Sequence, residues 1–151
     1  MAATRTATVT WNGALAGGDG TVTAGSSELF VDLPISWGSR TEAPEGRTSP
    51  EELLAAAHAS CYAMALSGAL GRAGTPPDHL HVGATVTFDK VGESWTVTRS
   101  QLDVMGVVPG MDDAAFDEAA SAAGRNCPIS RALAGNVEIT VSATLEEEHG
   151  H

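Results

Sequence analysis

Residues 6–11 alternate, with Ala7, Val9 and Trp11 on one side and Thr6, Thr8 and Thr10 on the other, the period of a half-exposed strand. Asn12-Gly13 and the Gly17-Gly18-Asp19-Gly20 run punctuate it. Two further strands are expected at 20–24 and 28–33, about Gly25-Ser26. Residues 36–48 read as a polar connection rich in Gly and Pro that carries Arg40 and Arg47. A long helix follows over about 50–71. Ser49 suits its N-cap, Pro50 its first position and Glu52 the third, which completes a capping box. Apolar residues lie on every face of that helix, so it is expected to be central, and its many alanines leave room for another helix. Beyond Gly74-Thr75-Pro76-Pro77 come strands at 79–90 and 94–107. The first places Val82, Ala84, Val86 and Phe88 on one face, and Val91-Gly92-Glu93 joins the two. An acidic helix over 112–124, with Ala115, Phe116, Ala119 and Ala122/Ala123 inward, precedes a short one ending near Leu133. A last alternating strand runs 136–145. This order gives an α+β class.

Composition narrows the picture. A length of 151 residues suits a single domain, 1–151, with 146–151 a charged, frayed tail. A hydrophobic share of 42% supports a core, and 5% aromatics means that aliphatic and small side chains build it. Two cysteines exclude a disulfide-rich scaffold. A net charge of −11 opposes contact with phosphate backbones, so no nucleic-acid partner is expected. The first ten residues hold no apolar signal segment. The apolar run 53–70 is broken by His58, Ser60, Ser67 and Gly68 and reads as a buried helix, with no membrane partner. A cytoplasmic location is expected, where cysteines serve as thiols.

Cys61 sits in the middle of the long helix. It is either a small core side chain or a reactive thiol that needs a cation, arginine by preference, to favour its thiolate. Cys127 lies in Asn126-Cys127-Pro128-Ile129-Ser130, read as N-cap, N1 and N2 of the short helix, between Arg125 and Arg131. Amides at a helix start favour a thiolate there; the plainer reading is a partly exposed thiol in a turn. No spacing of Cys and His suggests a metal.

The block Thr48-Ser49-Pro50-Glu51-Glu52-Leu53-Leu54-Ala55-Ala56-Ala57-His58-Ala59-Ser60-Cys61-Tyr62-Ala63-Met64-Ala65-Leu66-Ser67 resembles the signature of the OsmC/Ohr family. So does Asn126-Cys127-Pro128-Ile129-Ser130-Arg131-Ala132-Leu133, and Ala-Ala-His-Ala-Ser-Cys is closer to the OsmC branch. The resemblance implies an OsmC-like fold: antiparallel sheets around a central Ala-rich helix, in an intertwined homodimer. It implies a thiol-dependent peroxidase acting on organic hydroperoxides. Cys61 would be peroxidatic and Cys127 resolving, and the two would join in a disulfide. Glu51 matches the family's catalytic glutamate. Arg40 stands where the family places its arginine, with Arg47 as runner-up and a solvated loop charge as the plain alternative. No cofactor is implied to be bound; an external dithiol of lipoyl type would restore the enzyme.

Glu51 and Cys61 are ten residues apart in one helix, about 15 Å along its axis. Arg40 and Glu51 are therefore expected to serve the Cys61 of a partner subunit. His58 is either a packing histidine or a proton donor to a leaving alkoxide. Tyr62, Met64 and Leu66 read as core or pocket wall, and Met111 and Phe116 as candidates for a substrate entrance. Two rivals remain: a redox-sensing or ligand-binding domain on the same fold without turnover, and a structural domain with two inert thiols.

Overall fold

The computed structural model describes residues 1–147, so part of the expected 146–151 tail, residues 148–151, lies outside the described residues. The chain divides into two compact units, Met1–Leu53 and Leu54–His151.

In the first unit, β1 (Ala7–Asn12), β2 (Asp19–Ala24) and β3 (Leu33–Ile35) form an antiparallel sheet in that order. Close approach dictates Gly20: a Cβ there would stand 2.7 Å from both the Thr10 carbonyl oxygen and the Trp11 ring. The strand expected at 28–33 does not form. Glu28 and Asp32 take left-handed backbone, with φ of 58° and 55°. The Thr23 hydroxyl oxygen accepts from the Asp32 amide, so the segment turns instead of extending, and Leu29 and Val31 face solvent. The third strand is displaced to Leu33–Ile35. The connection 36–48 also holds more order than expected: α1 (Trp37–Thr41) starts at Ser36, whose hydroxyl and that of Ser39 cap each other's amides at 3.0 and 3.1 Å.

The long helix α2 (Pro50–Arg72) begins as expected, with the Glu52 amide donating to the Ser49 hydroxyl at 3.1 Å. The second half of the capping box is replaced. The Glu52 carboxylate accepts from the Thr48 hydroxyl at 2.7 Å. Within the second unit α2 is not buried all round. One stripe at helical spacing, His58, Tyr62, Leu66 and Leu70, is buried, while Ala56, Ala57 and Met64 are exposed. Met64 is thus not core; it walls an open cavity of about 280 Å³ with Ala63, Ser67 and Leu80. By length and composition α2 could cross a membrane; its buried stripe packs instead in one cluster with Leu102, Val104, Phe116 and Ala120.

β4 (His79–Val91) and β5 (Ser94–Val107) pair antiparallel, with Phe88 and Trp95 stacked at 5.0 Å near the turn. Then come α3 (Asp113–Asn126), capped by the Asp112 carboxylate, α4 (Pro128–Leu133) and β6 (Glu138–Leu145). β6 joins β5 in parallel, so this sheet is mixed and not antiparallel throughout. The helices between β5 and β6 return the chain to the same end of the sheet, which makes the strands parallel. The inward face of α3 is rotated from the expectation: Phe116, Ala120, Ala123 and Gly124 are buried and Ala115 is exposed. Phe116 is therefore a core residue, not an entrance, and Met111 packs against the same core. At the end of β6 the Glu146 amide still donates to the Gly106 carbonyl, so order reaches one residue into the expected tail.

Candidate active site

In the first unit, α1 carries Arg40 and the first turn of α2 carries Glu51. The guanidinium grips the carboxylate as a fork: Nε donates to Oε1 at 2.9 Å and Nη2 to Oε2 at 3.0 Å. Glu51 is 8% exposed, and such a paired, nearly buried carboxylate fixes the plane of its arginine. The Trp37 ring lies 5.8 Å from the Arg40 guanidinium carbon, a cation–π contact on its other side. A cavity of about 290 Å³ opens beside it, walled by Trp11, Leu15, Ile35, Trp37 and Pro50 with Arg40 at its edge. Arg47 is exposed, at the end of a turn closed by its own amide on Pro44. Of the two arginines it is Arg40 that is built into a pocket.

In the second unit α2 carries Cys61, half-buried, and Cys127 stands fully buried between α3 and α4. Asn126 is the last residue of α3, so Cys127 itself is the N-cap of α4, one position later than expected, and Pro128 is its first residue. Its extended backbone (φ −62°, ψ 140°) closes α3 by donating to Ala123 and opens α4. Both sulfurs meet the first turn of α4. The Ile129 amide donates to Cys61 and the Ser130 amide to the Cys127 sulfur, the latter at 3.4 Å. The two sulfurs are near enough to interact electrostatically. The same unit holds Cys61 protonated: burial pushes its thiol up, the Ile129 amide pulls it down, and Cys127 pushes it up again. Arg125 and Arg131 are exposed.

His58 is fully buried, and each ring nitrogen has a hydroxyl partner: Nδ1 lies 2.6 Å from Ser100 Oγ and Nε2 2.8 Å from Ser130 Oγ. Burial holds its imidazole below the ordinary 6.5. Ser130 Oγ in turn lies 3.2 Å from the Cys127 sulfur. Tyr62, one turn beyond His58, donates to the Ala120 carbonyl at 2.9 Å; burial, then the nearness of Cys127, pushes its phenol up.

Ser100 and Ser130 did not stand out in the sequence. The signal was present for one of them. Ser100 falls on the same parity of its strand as Leu102 and Val104, and a serine on a core face requires a partner. Among the described residues no group of His, Cys, Asp and Glu could hold a metal ion.

Three comparisons place the chain among known proteins. Residues 43–142 match the family model "OsmC-like protein", a span that includes Glu51, Cys61 and Cys127 and starts just after Arg40. The chain is 39% identical over 136 residues to "Peroxiredoxin OsmC" of Escherichia coli, covering 90% of this chain and 92% of that one. It is 27% identical over 121 residues to an "Organic hydroperoxide resistance protein" of Xanthomonas axonopodis, covering 78% and 82%. Among solved structures, that of the organic hydroperoxide resistance protein OhrB of Bacillus subtilis matches with a TM-score of 0.71 at 27% identity, over 93% of this chain and 98% of that one. With its mixed α+β fold and both cysteine-bearing segments inside the matched span, the chain belongs to the OsmC family.

Proposed function

We propose that this protein is a thiol peroxidase that reduces organic hydroperoxides through a Cys61–Cys127 disulfide. The observation that carries the reading is the interacting pair of free thiols, Cys61 partly open and Cys127 sealed, beside the first turn of α4. The names of the relatives, a peroxiredoxin and an organic hydroperoxide resistance protein, support the same chemistry.

The steps balance as follows. The Cys61 thiolate attacks one peroxide oxygen; the O–O bond breaks and the alkoxide leaves, taking a proton to become an alcohol. Cys61 is then a sulfenic acid. The Cys127 thiol attacks the Cys61 sulfur, the S–S bond forms and the S–O bond breaks, with water leaving. An external dithiol, of lipoyl type, returns both cysteines to thiols and is itself oxidised to a disulfide. Such a cycle suits a reducing compartment, the cytoplasm.

The first step needs a thiolate, and the second unit by itself keeps Cys61 protonated. A fixed cation is what is missing. Arg40, aligned by Glu51 and Trp37, supplies one beside an apolar cavity suited to the organic group of a peroxide. Ten positions of α2, about 15 Å of helix rise, separate Glu51 from Cys61. The Arg40–Glu51 pair of one subunit therefore serves the Cys61 of its partner in a homodimer. Exposed apolar groups support that assembly: Met64 on α2 is 70% exposed, and Val9 on β1 and Val31 are 57% and 59% exposed.

The test is intact-mass analysis of reduced protein after one equivalent of cumene hydroperoxide. Loss of two hydrogens with recovery of a Cys61–Cys127 peptide is the expected result. An unchanged mass with both thiols free overturns the reading and leaves a binding module on the same fold.

A further inference from the structure

We propose that Ser100, His58 and Ser130 form a one-way chain of hydrogen-bond donors that ends on the Cys127 sulfur, with Ser130 the catalytic donor and His58 and Ser100 positioning residues. The proposal deepens the peroxidase reading and rests on it: the chain would hold negative charge on Cys127 as the disulfide closes and as it opens.

The direction follows from counting donors and acceptors. A buried neutral imidazole has one N–H and one lone pair, so its two hydroxyl partners cannot play the same part. The fully buried Ser100 hydroxyl makes its side-chain hydrogen bond to Nδ1, at 2.6 Å. Were it to accept there, its own proton would be buried without an acceptor, which is the costly arrangement. Ser100 therefore donates, Nδ1 accepts, and the imidazole proton sits on Nε2. That N–H donates to Ser130 Oγ at 2.8 Å, which turns the Ser130 proton toward the Cys127 sulfur at 3.2 Å. The Ser130 amide adds a second donor at 3.4 Å. Every one of these bonds lies within the Leu54–His151 unit.

Two donors on one sulfur, neither of them a cation, suit a group that must carry charge briefly while sealed from water. In closing, the Cys127 sulfur bonds to the Cys61 sulfur, the Cys61 S–O bond breaks, and the thiol proton leaves with that oxygen as water. In opening, a thiolate of the dithiol attacks the more accessible Cys61 sulfur. The S–S electron pair then goes to Cys127, where the Ser130 hydroxyl and amide receive it, and the sulfur takes up the proton the reductant gave up. The second thiol of the reductant releases Cys61. Burial thus chooses which sulfur is attacked, and the donor chain chooses which one leaves.

The titratable groups facing the chain are Cys61 and Tyr62, both on α2 with His58, while Arg125 of α3 and Arg131 of α4 are exposed.

The experiment is rapid-quench intact-mass kinetics of the reduced protein with cumene hydroperoxide, reading gain of one oxygen and then loss of water as separate steps. Ser130→Ala is expected to slow closure about 10- to 100-fold, the worth of a hydrogen bond to a charged group, with formation of the sulfenic acid unchanged. The pH at which closure is half-maximal should rise, and Ser130→Thr should recover most of the rate. Closure at the wild-type rate with an unmoved pH profile overturns the proposal, as does an equal slowing of both steps. A second measurement needs no variant. The nitrogen shifts of His58 in reduced wild type, assigned through bonds to its backbone, should report the Nε2–H tautomer, and the Nδ1–H tautomer overturns the donor chain. If the wild type never gains oxygen, it is the peroxidase reading that fails, and the tautomer still decides the donor chain.

Discussion

Met1–Leu53 and Leu54–His151 handle their polar groups in opposite ways. The first unit puts charge on charge, Arg40 on Glu51, and leaves much apolar surface open to solvent, including Val9 and Trp11 of the wholly exposed β1. The second buries neutral groups together, a histidine, two serines and the Cys127 thiol, inside an aliphatic core, with Cys61 half-buried beside them. The Glu51 carboxylate is nearly buried, but its charge is met by the fork of a partly exposed Arg40; the hydroxyls and the Cys127 thiol, cheap to bury when paired, sit where water is excluded. A peroxidase needs both, a cation to make a thiolate and a dry place to hold a sulfenic acid until it condenses. On the proposed reading, placing the cation on the first unit spares the core of the second a buried guanidinium.

The largest effects should come from substitutions that remove one unit's contribution outright. Cys61→Ser is expected to abolish turnover, and Cys127→Ser to allow one oxidation followed by over-oxidation of Cys61 to the sulfinic acid, seen as a second added oxygen. Arg40→Ala should leave both thiols intact yet slow the first step by about 100-fold or more, as loss of a fixed electrostatic donor does. Equal rates for Arg40→Ala and wild type would remove the first unit from the mechanism. Mixing the two inactive proteins sharpens the comparison. If one subunit's arginine serves its partner's cysteine, Arg40→Ala and Cys61→Ser should complement to about a quarter of the wild-type rate, since half of the dimers are mixed and each holds one complete site. If each chain serves itself, the mixture stays inactive.

A middle-sized effect tests how tightly the second unit is packed. A Cβ on Gly124 would stand 2.5 Å from the Val141 Cγ2 of β6, and a valine on a strand has little freedom to yield. Gly124→Ala is expected to cost about 1–3 kcal/mol in denaturant unfolding. Because Gly124 precedes Cys127 by three residues at the end of α3, disulfide closure should slow as well. An unchanged midpoint would mean that α3 slides freely on the sheet. His58 adds a pH dependence of the same unit. Its folded value lies below the unfolded 6.5 because burial disfavours the cation, so the unfolded chain binds more protons in the interval between them. Stability is therefore full above 6.5 and falls as the pH drops through the folded value. Unfolding midpoints should decrease on acidification in that window, and His58→Gln should flatten the trend.

How far this was legible differs between the units for a physical reason. The second unit follows simple periods: the alternation in β4, the hairpin turn and the bounds of β5 were all readable, because local propensity and burial agree there. In the first, the apolar residues of 28–33 beyond the Gly25-Ser26 turn gave a strand that does not exist. Leu29 and Val31 face outward and the backbone of Glu28 and Asp32 is left-handed, so the apolar period there is not the signature of a core face. Glu51, Cys61 and Cys127 were readable through two motifs and Arg40 only by its place in the loop before them; the structure pairs Arg40 with Glu51 and sets the two thiols near each other. The Ser100–His58–Ser130 chain was not, since its members lie 42 and 72 positions from His58 and only the packing of β5 and α4 against α2 joins them. The parallel pairing of β6 was missed because strand periods carry no direction.

The smallest effect separates two ways of starting α2, the element on which both units depend. A reciprocal capping box would have the Glu52 carboxylate accept from the Ser49 amide, and its loss would then cost much of a cap. Here Glu52 accepts from the exposed Thr48 hydroxyl instead, while the Ser49 hydroxyl alone holds the Glu52 amide. The two residues should therefore respond unequally. Ser49→Ala is expected to cost about 0.5–2 kcal/mol, since it removes the acceptor for an orphan helix amide. Glu52→Ala should cost no more than about 0.5 kcal/mol, the worth of a solvent-exposed polar contact and of a carboxylate at the helix start. Neither should change the rate of sulfenic acid formation. Equal costs in a denaturant titration of the two variants would restore the full box, and a fall in peroxidase rate with Glu52→Ala would mean that the helix start aligns Glu51, its neighbour, as well as α2 itself.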